Sequence, residues 1–322
     1  MKKALISGIL ALAFLFFASL PAFSWGSATH AYIASRIGKI LPLMNANEMY
    51  GCMAPDIFNY VFTLTAEQMA VVQYYTHGTP GHEGFMDVWK KASWWGFQKS
   101  LAYGYVAHND VWGVDFTAHH SGVKIGQGVG YVIFKAEQLL EQNIDIEGLT
   151  PGPIPLAWVF AGIGITDPID QLELAHNLFE TAGDIYLAQK DKLIGEKIIG
   201  AALLRSNDLP ALLTKVMGND WKDAIYAAEK EFRKSMVLYG QVLMQDQETA
   251  IKNLAEQMAQ LGIAYLQAKG YTLPPGIDLD MVTILAEKVI RAALPLCSDY
   301  MTEVNATISF VKNNLQAHGV WY

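Results

Sequence analysis

LELAHNLFETAGDIYL, residues 172–187, is the stretch whose reading decides the fold class. Apolar residues recur in it at three- and four-residue spacing, the pattern of a helix with one face turned to a core. The same stretch sets His176 and Glu180 four residues apart, so both project from one face about one turn apart. Working outward, the period repeats over 28–41, 100–107, 129–142, 221–245, 248–269, 279–293 and 300–315. Proline and glycine fall between these stretches, at 148–155, 270–276 and around Pro295. Strand-like alternation is nearly absent, and there is no internal repeat or low-complexity tract. The expectation is an all-α protein forming a single multi-helix domain over residues 25–322.

Residues 1–24 read as a signal peptide. Lys2 and Lys3 precede an uncharged apolar run, and Ala22 and Ser24 supply the small residues of a cleavage site before Trp25. Export to the periplasm or the medium is therefore expected, with Trp25 left carrying a free α-amino group. Without Lys2 and Lys3 the 23 basic and 31 acidic residues become 21 and 31, a net charge of −10. That balance weighs against a long polyanion such as duplex DNA as the main partner. Cys52 and Cys297 are the only cysteines. They are too few for a disulfide scaffold or an all-cysteine zinc site, and whether they pair is left open.

Seven of the eight histidines, His30, His77, His82, His108, His119, His120 and His176, come before Glu180; the eighth is His318. Asp115 and His119 repeat the four-residue spacing of His176 and Glu180. Helices offer two ligands to one metal with this spacing. One such pair alone is ordinarily a surface ion pair. Two pairs, with His108 upstream of one of them, bring a metal site to even terms with that reading.

The segments WGSATHAYIA (25–34), GCMAPDIF (51–58), YYTHGTP (74–80), AYGYVAHNDVWGVDFTAHHSG (102–122) and AHNLFETAGD (175–184) occur in this order. Together they resemble the zinc-dependent phospholipase C family. That family is related to the catalytic domain of glycosylphosphatidylinositol-specific phospholipase D and to the S1/P1-type nucleases. The resemblance implies up to three zinc ions, with ligands drawn from residues 25–184 and helices of 189–322 packed around them. It gives Trp25 and His30 to one ion, Asp56, His77 and His108 to a second, Asp115 as the bridge between them, and His119, His176 and Glu180 to the third. Asp56 would also orient the attacking water.

One departure stands out: His108 and Asp115 are seven residues apart where the family usually has four. On a continuous helix that spacing separates them by about 10.5 Å of rise. A break near Gly113 would close the gap, and Asp110 is the alternative bridge. His82 competes with His77, His120 competes with His119, and Asp184 is a further candidate ligand.

Zinc would acidify a bound water and neutralise charge on phosphoryl oxygens, as hydrolysis of a phosphodiester needs. A phospholipid is the expected substrate. A single-strand nuclease and a metal-binding family member without turnover are the alternatives. The aromatic segment 84–97 contains Trp89, Trp94 and Trp95, which would make transient contact with a membrane surface if exposed, although most aromatics of such a segment are core. The stripe Leu254, Met258, Leu261, Ile263 and Leu266 reads as helix-packing core.

Overall fold

A computed structural model describes residues 26–39, 41–60, 64–94 and 97–322. The expectations for the signal peptide, Trp25 and Trp95 lie outside those residues. The described chain is mostly helical. In order it forms α1 (Ser27–Ile37), α2 (Pro42–Met53), a 3-10 turn (Ala54–Tyr60), α3 (Ala66–Thr76), α4 (Phe85–Lys91), α5 (Gln98–His108) and α6 (Val114–His119). There follow α7 (Tyr131–Leu140), β1 (Asn143–Ile144), β2 (Ile154–Pro155), α8 (Leu156–Gly162), α9 (Pro168–Lys190), α10 (Ile194–Leu204) and α11 (Leu209–Met217). A 3-10 turn (Asn219–Trp221) leads to α12 (Lys222–Leu243), α13 (Gln247–Ala268) and α14 (Leu279–Ala293). A last 3-10 turn (Leu294–Asp299) precedes α15 (Tyr300–Ala317). The two strands make one antiparallel pair, Asn143 opposite Pro155 and Ile144 opposite Ile154.

The helices begin where capping chemistry allows. Thr65 and Gln68 form a reciprocal capping box at the start of α3. Asp167 caps α9 ahead of Pro168, whose missing N–H costs nothing in a first turn. Asp246 and Asp278 cap α13 and α14 in the same way. The periodicity reading finds α14 at 279–293 and α15 from residue 300, but passes over α2. Ala46 through Met53 are all buried, so α2 has no polar face to make a period visible. One hydrophobic cluster runs from Ala28 to Val320, joining early and late helices in a shared core. No described helix is long and apolar enough to cross a membrane.

One expectation is corrected and one open question is answered. Trp89 is buried and packs under Lys99, so it is core rather than a membrane-facing ring; Trp94 beside it is 64% exposed. Cys52 and Cys297 are separate buried thiols.

The contact that positions the rest is between α2 and α5. A Cβ added at Gly104 of α5 would lie 2.0 Å from the Glu48 carbonyl oxygen, and one at Gly51 of α2 would lie 2.2 Å from the Leu101 carbonyl oxygen. Each glycine meets backbone, which cannot swing aside, so the two helices touch main chain to main chain. This approach brings the Cys52 carbonyl within 2.8 Å of His108 Nδ1.

Gly104→Ala is therefore expected to force the helices apart and to cost at least about 2 kcal/mol, the usual scale of overpacking, despite alanine's better helix propensity. Gly200→Ala is the control. It lies in α10 with nothing near its added Cβ, and should stabilise by about 0.5–1 kcal/mol. Urea unfolding of the two variants checks both signs.

Candidate metal centre

The candidate ligands come from six elements. His30 is on α1, Asp56 on the first 3-10 turn, His77 at the end of α3, His108 at the end of α5, Asp115 and His119 on α6, and His176 and Glu180 on α9. Gly113 closes the seven-residue gap between His108 and Asp115. Helix α5 stops at His108, and the Asn109 side-chain oxygen accepts the N–H groups of Val111 and Trp112. Helix α6 then starts after Gly113, where a Cβ would lie within 2.6 Å of three carbonyl oxygens. The chain thus turns back on itself, and Asp115 Oδ2 arrives 2.8 Å from His108 Nε2.

Four ligand atoms then face one another. His77 Nε2 and His108 Nε2 are 3.1 Å apart. His77 Nε2 is 3.5 Å from both Asp56 Oδ1 and Asp115 Oδ2. His108 Nε2 is 3.6 Å from Asp56 Oδ1. Ligands held about 2.0–2.1 Å from a tetrahedral zinc ion are about 3.3 Å from one another. The five separations that involve a histidine, 2.8 to 3.6 Å, straddle that edge length.

The far side of each imidazole fixes what it presents. His108 Nδ1 faces the Cys52 carbonyl, which can only accept, so Nδ1 carries the hydrogen. Thr76 Oγ1 spends its own hydrogen on the Val72 carbonyl and therefore accepts from His77 Nδ1, 2.7 Å away. Both rings consequently turn Nε2 lone pairs toward each other and toward two carboxylates. Asp56 Oδ1 and both Asp115 oxygens are buried without a hydrogen-bond partner. Four electron-rich atoms packed this closely away from water repel unless a cation lies among them. Burial, reinforced by the charge of Asp110, pushes the Asp115 carboxyl well above its usual range. Burial works to lower the His77 pKa, yet the neighbouring carboxylate of Asp56 holds it above its ordinary value. A proton is the smallest cation the cluster can take.

Asp115 also reaches the other way. Its Oδ1 lies 3.0 Å from His30 Nε2, whose ring stacks on His108 at 4.4 Å. Burial, then the neighbouring His108, holds His30 well below its usual pKa and so favours the neutral ring. Asp115 therefore touches the two groups that a bridge must join, and Asp110 does not occupy that position. Instead Asp110 lies beside the third group: its Oδ1 is 3.2 Å from His119 Nδ1. Burial lowers the His119 pKa. A neutral His119 that donates Nδ1–H to Asp110 keeps a lone pair at Nε2, which is buried without a partner. One ligand atom each from His119, His176 and Glu180 lies within 4.8 Å of the others, and His176 Nε2 is 2.6 Å from Glu180 Oε1.

Three alternatives resolve by position. His82 is exposed and pairs only its backbone with Thr79, whereas His77 is buried in the cluster. His120 turns outward, its side chain 53% exposed. Asp184 is a structural anchor: it accepts the backbone N–H groups of Ala28 and Thr29 and the hydroxyls of Thr29 and Tyr239, pinning the first turn of α1 against α9. Reading by residue type passed over the orienting partners. The Cys52 carbonyl leaves no side-chain signal, and Thr76 shows only as the neighbour of His77.

Removal of divalent metal is expected to lower the melting temperature, and its return at about 100 times Kd should restore about 2.7 kcal/mol per independent site. His119→Ala should lose a bound ion by elemental analysis, while His120→Ala should retain the full complement. Equal metal content in the two variants would contradict the assignment.

No family model, curated protein or solved structure matches the chain.

Proposed function

We propose that this protein is an exported zinc-dependent phosphodiester hydrolase of the phospholipase C type, acting on phospholipids, with the helical fold of that family. The observation that carries the reading is the buried pair of anchored imidazoles, His77 and His108, each facing a carboxylate oxygen of Asp56 and of Asp115 that lacks a hydrogen-bond partner. This donor set of neutral nitrogen and carboxylate oxygen suits zinc. Those four residues would hold one ion. His30 and Asp115, with the amino terminus of a processed Trp25, would hold another. His119, His176 and Glu180 would hold a third.

Zinc so held supplies Lewis acidity toward phosphoryl oxygens and makes water a nucleophile at neutral pH. The chain's own groups do the remaining work. Asp56, buried at the wall of the cluster, would orient a water molecule and accept its proton through the carboxylate oxygen not turned toward His77 and His108. Asp115, with one oxygen turned to each neighbouring group, would fix their spacing. Asp110 holds the His119 ring in the tautomer that leaves Nε2 available. The acidic balance of the chain disfavours a long nucleic acid, and Trp94 is an exposed ring suited to a lipid interface.

The test is a paired assay of zinc-loaded protein on phosphatidylcholine vesicles and on single-stranded DNA. Diacylglycerol release without nucleotide products is the expected result, and the reverse would move the assignment to a nuclease. Zinc binding with neither product would mark a metal-binding protein without turnover. Asp56→Asn should lower kcat by about 10²- to 10⁴-fold, the range of a lost general base. Full activity in that variant with full metal content would refute its role.

A further inference from the structure

Cys52 meets two histidines of the cluster, not one. Its carbonyl takes the Nδ1 hydrogen of His108. Its thiol points elsewhere: Cys52 Sγ lies 3.5 Å from Nδ1 of His30 in hydrogen-bonding geometry, and both residues are fully buried. The rings of His30 and His108 stack at 4.4 Å. A single residue thus meets the rear edges of two stacked imidazoles, one through its backbone and one through its side chain. The other cysteine has no such role, because Cys297 gives its thiol hydrogen to the Ala293 carbonyl 3.5 Å away.

The tautomer of His30 follows from its two edges. His30 Nε2 is 3.0 Å from Asp115 Oδ1, yet that oxygen is buried without a hydrogen-bond partner. An Nε2 hydrogen is therefore not aimed at it, close as the two atoms are. Nδ1, by contrast, does have an aligned partner, and a thiol sulfur can accept as well as donate. With the hydrogen on Nδ1, Nε2 presents its lone pair beside Asp115 Oδ1, the state that a metal ligand needs. The sulfur lies against the opposite edge of the ring, so it orients the ligand and is not one itself.

We propose that the Cys52 thiol is the positioning group of His30: its sulfur accepts the Nδ1 hydrogen and leaves Nε2 turned toward Asp115, so that one residue aims the ligands of two neighbouring ions. The consequence for the ions rests on the metal-centre reading. The tautomer does not, because it is measured in the chain without metal.

Ring-nitrogen NMR of the zinc-free full chain reads the tautomer, with the His30 signals identified by their loss in His30→Gln. Wild-type His30 should be in the Nδ1–H form, and Cys52→Ala should shift it toward Nε2–H. Zinc titration against a competing chelator gives the second readout. Cys52→Ala should weaken one ion by about 10- to 100-fold, the usual effect of removing an orienting partner. The ions held by His77 with His108 and by His119 with His176 should keep their affinity, since the Cys52 carbonyl remains. Cys52→Ser keeps an acceptor of similar size and should restore both the tautomer and most of the lost affinity. Cys297→Ala removes an equally buried thiol and should alter neither, which separates orientation from a general loosening of the core. The proposal would be overturned by wild-type His30 in the Nε2–H form, by a tautomer or a zinc affinity unchanged in Cys52→Ala, or by a serine variant that behaves like the alanine one. A wild-type chain that binds no zinc would remove the metal-centre reading and leave the tautomer to decide the role of Cys52.

Discussion

The backbone contact between α2 and α5 is the constraint on which the site depends. His108 projects from the last residue of α5, and only an approach of main chain to main chain lets the Cys52 carbonyl take its Nδ1 hydrogen. Glycine at 51 and 104 removes the two Cβ atoms that would otherwise hold the helices apart. Asp56 follows within one turn of the same α2 segment, so the packing that orients His108 also delivers Asp56 to it. Local composition, helix packing and ring orientation form one chain of cause here.

What the fold assembles is electrostatically unfavourable by itself. Acidic groups and neutral imidazoles meet in a dry interior, and among the described residues the ion partners of Asp56, Asp110 and Asp115 are all histidines. A lysine or arginine would neutralise such a cluster, and elsewhere this protein does place them so: Arg205 pairs with the buried Glu229, and Lys135 with Asp299. Near Asp56 and Asp115 the charge balance is left open on the protein's side. Strain of this kind concentrates where a cation is expected to supply the missing charge.

Much of this was legible in the sequence, for identifiable reasons. Long amphipathic helices such as α14 and α15 show their period because one face meets water, and pairs one turn apart on a helix, such as His176 and Glu180, need no tertiary information. Helix α2, buried from Ala46 to its end, shows no period. The relation of His108 to Asp115 is ambiguous in sequence because it depends on a helix break; Gly113 hints at the break, but the Asn109 side chain that makes the turn is seen only in the fold. Asp184 misleads for the opposite reason. Its position one turn beyond Glu180 suits a ligand, yet its oxygens are taken up by the N–H groups at the start of α1, whose proximity to α9 no spacing rule reveals.

That use of Asp184 ties the site together from behind. A carboxylate at the positive end of α1 satisfies N–H groups that would otherwise be orphaned there, and Tyr239 and Tyr300 extend the network onto α12 and α15, Tyr239 by bonding Asp184 and Tyr300 by bonding Thr29. The late helices, which contribute none of the candidate ligands, therefore fix the helix that carries His30 to the helix that carries His176 and Glu180. Their contribution to the site is rigidity: a cluster of mutually repelling groups holds its geometry only if the elements bearing them cannot relax apart, and the second half of the chain provides that resistance.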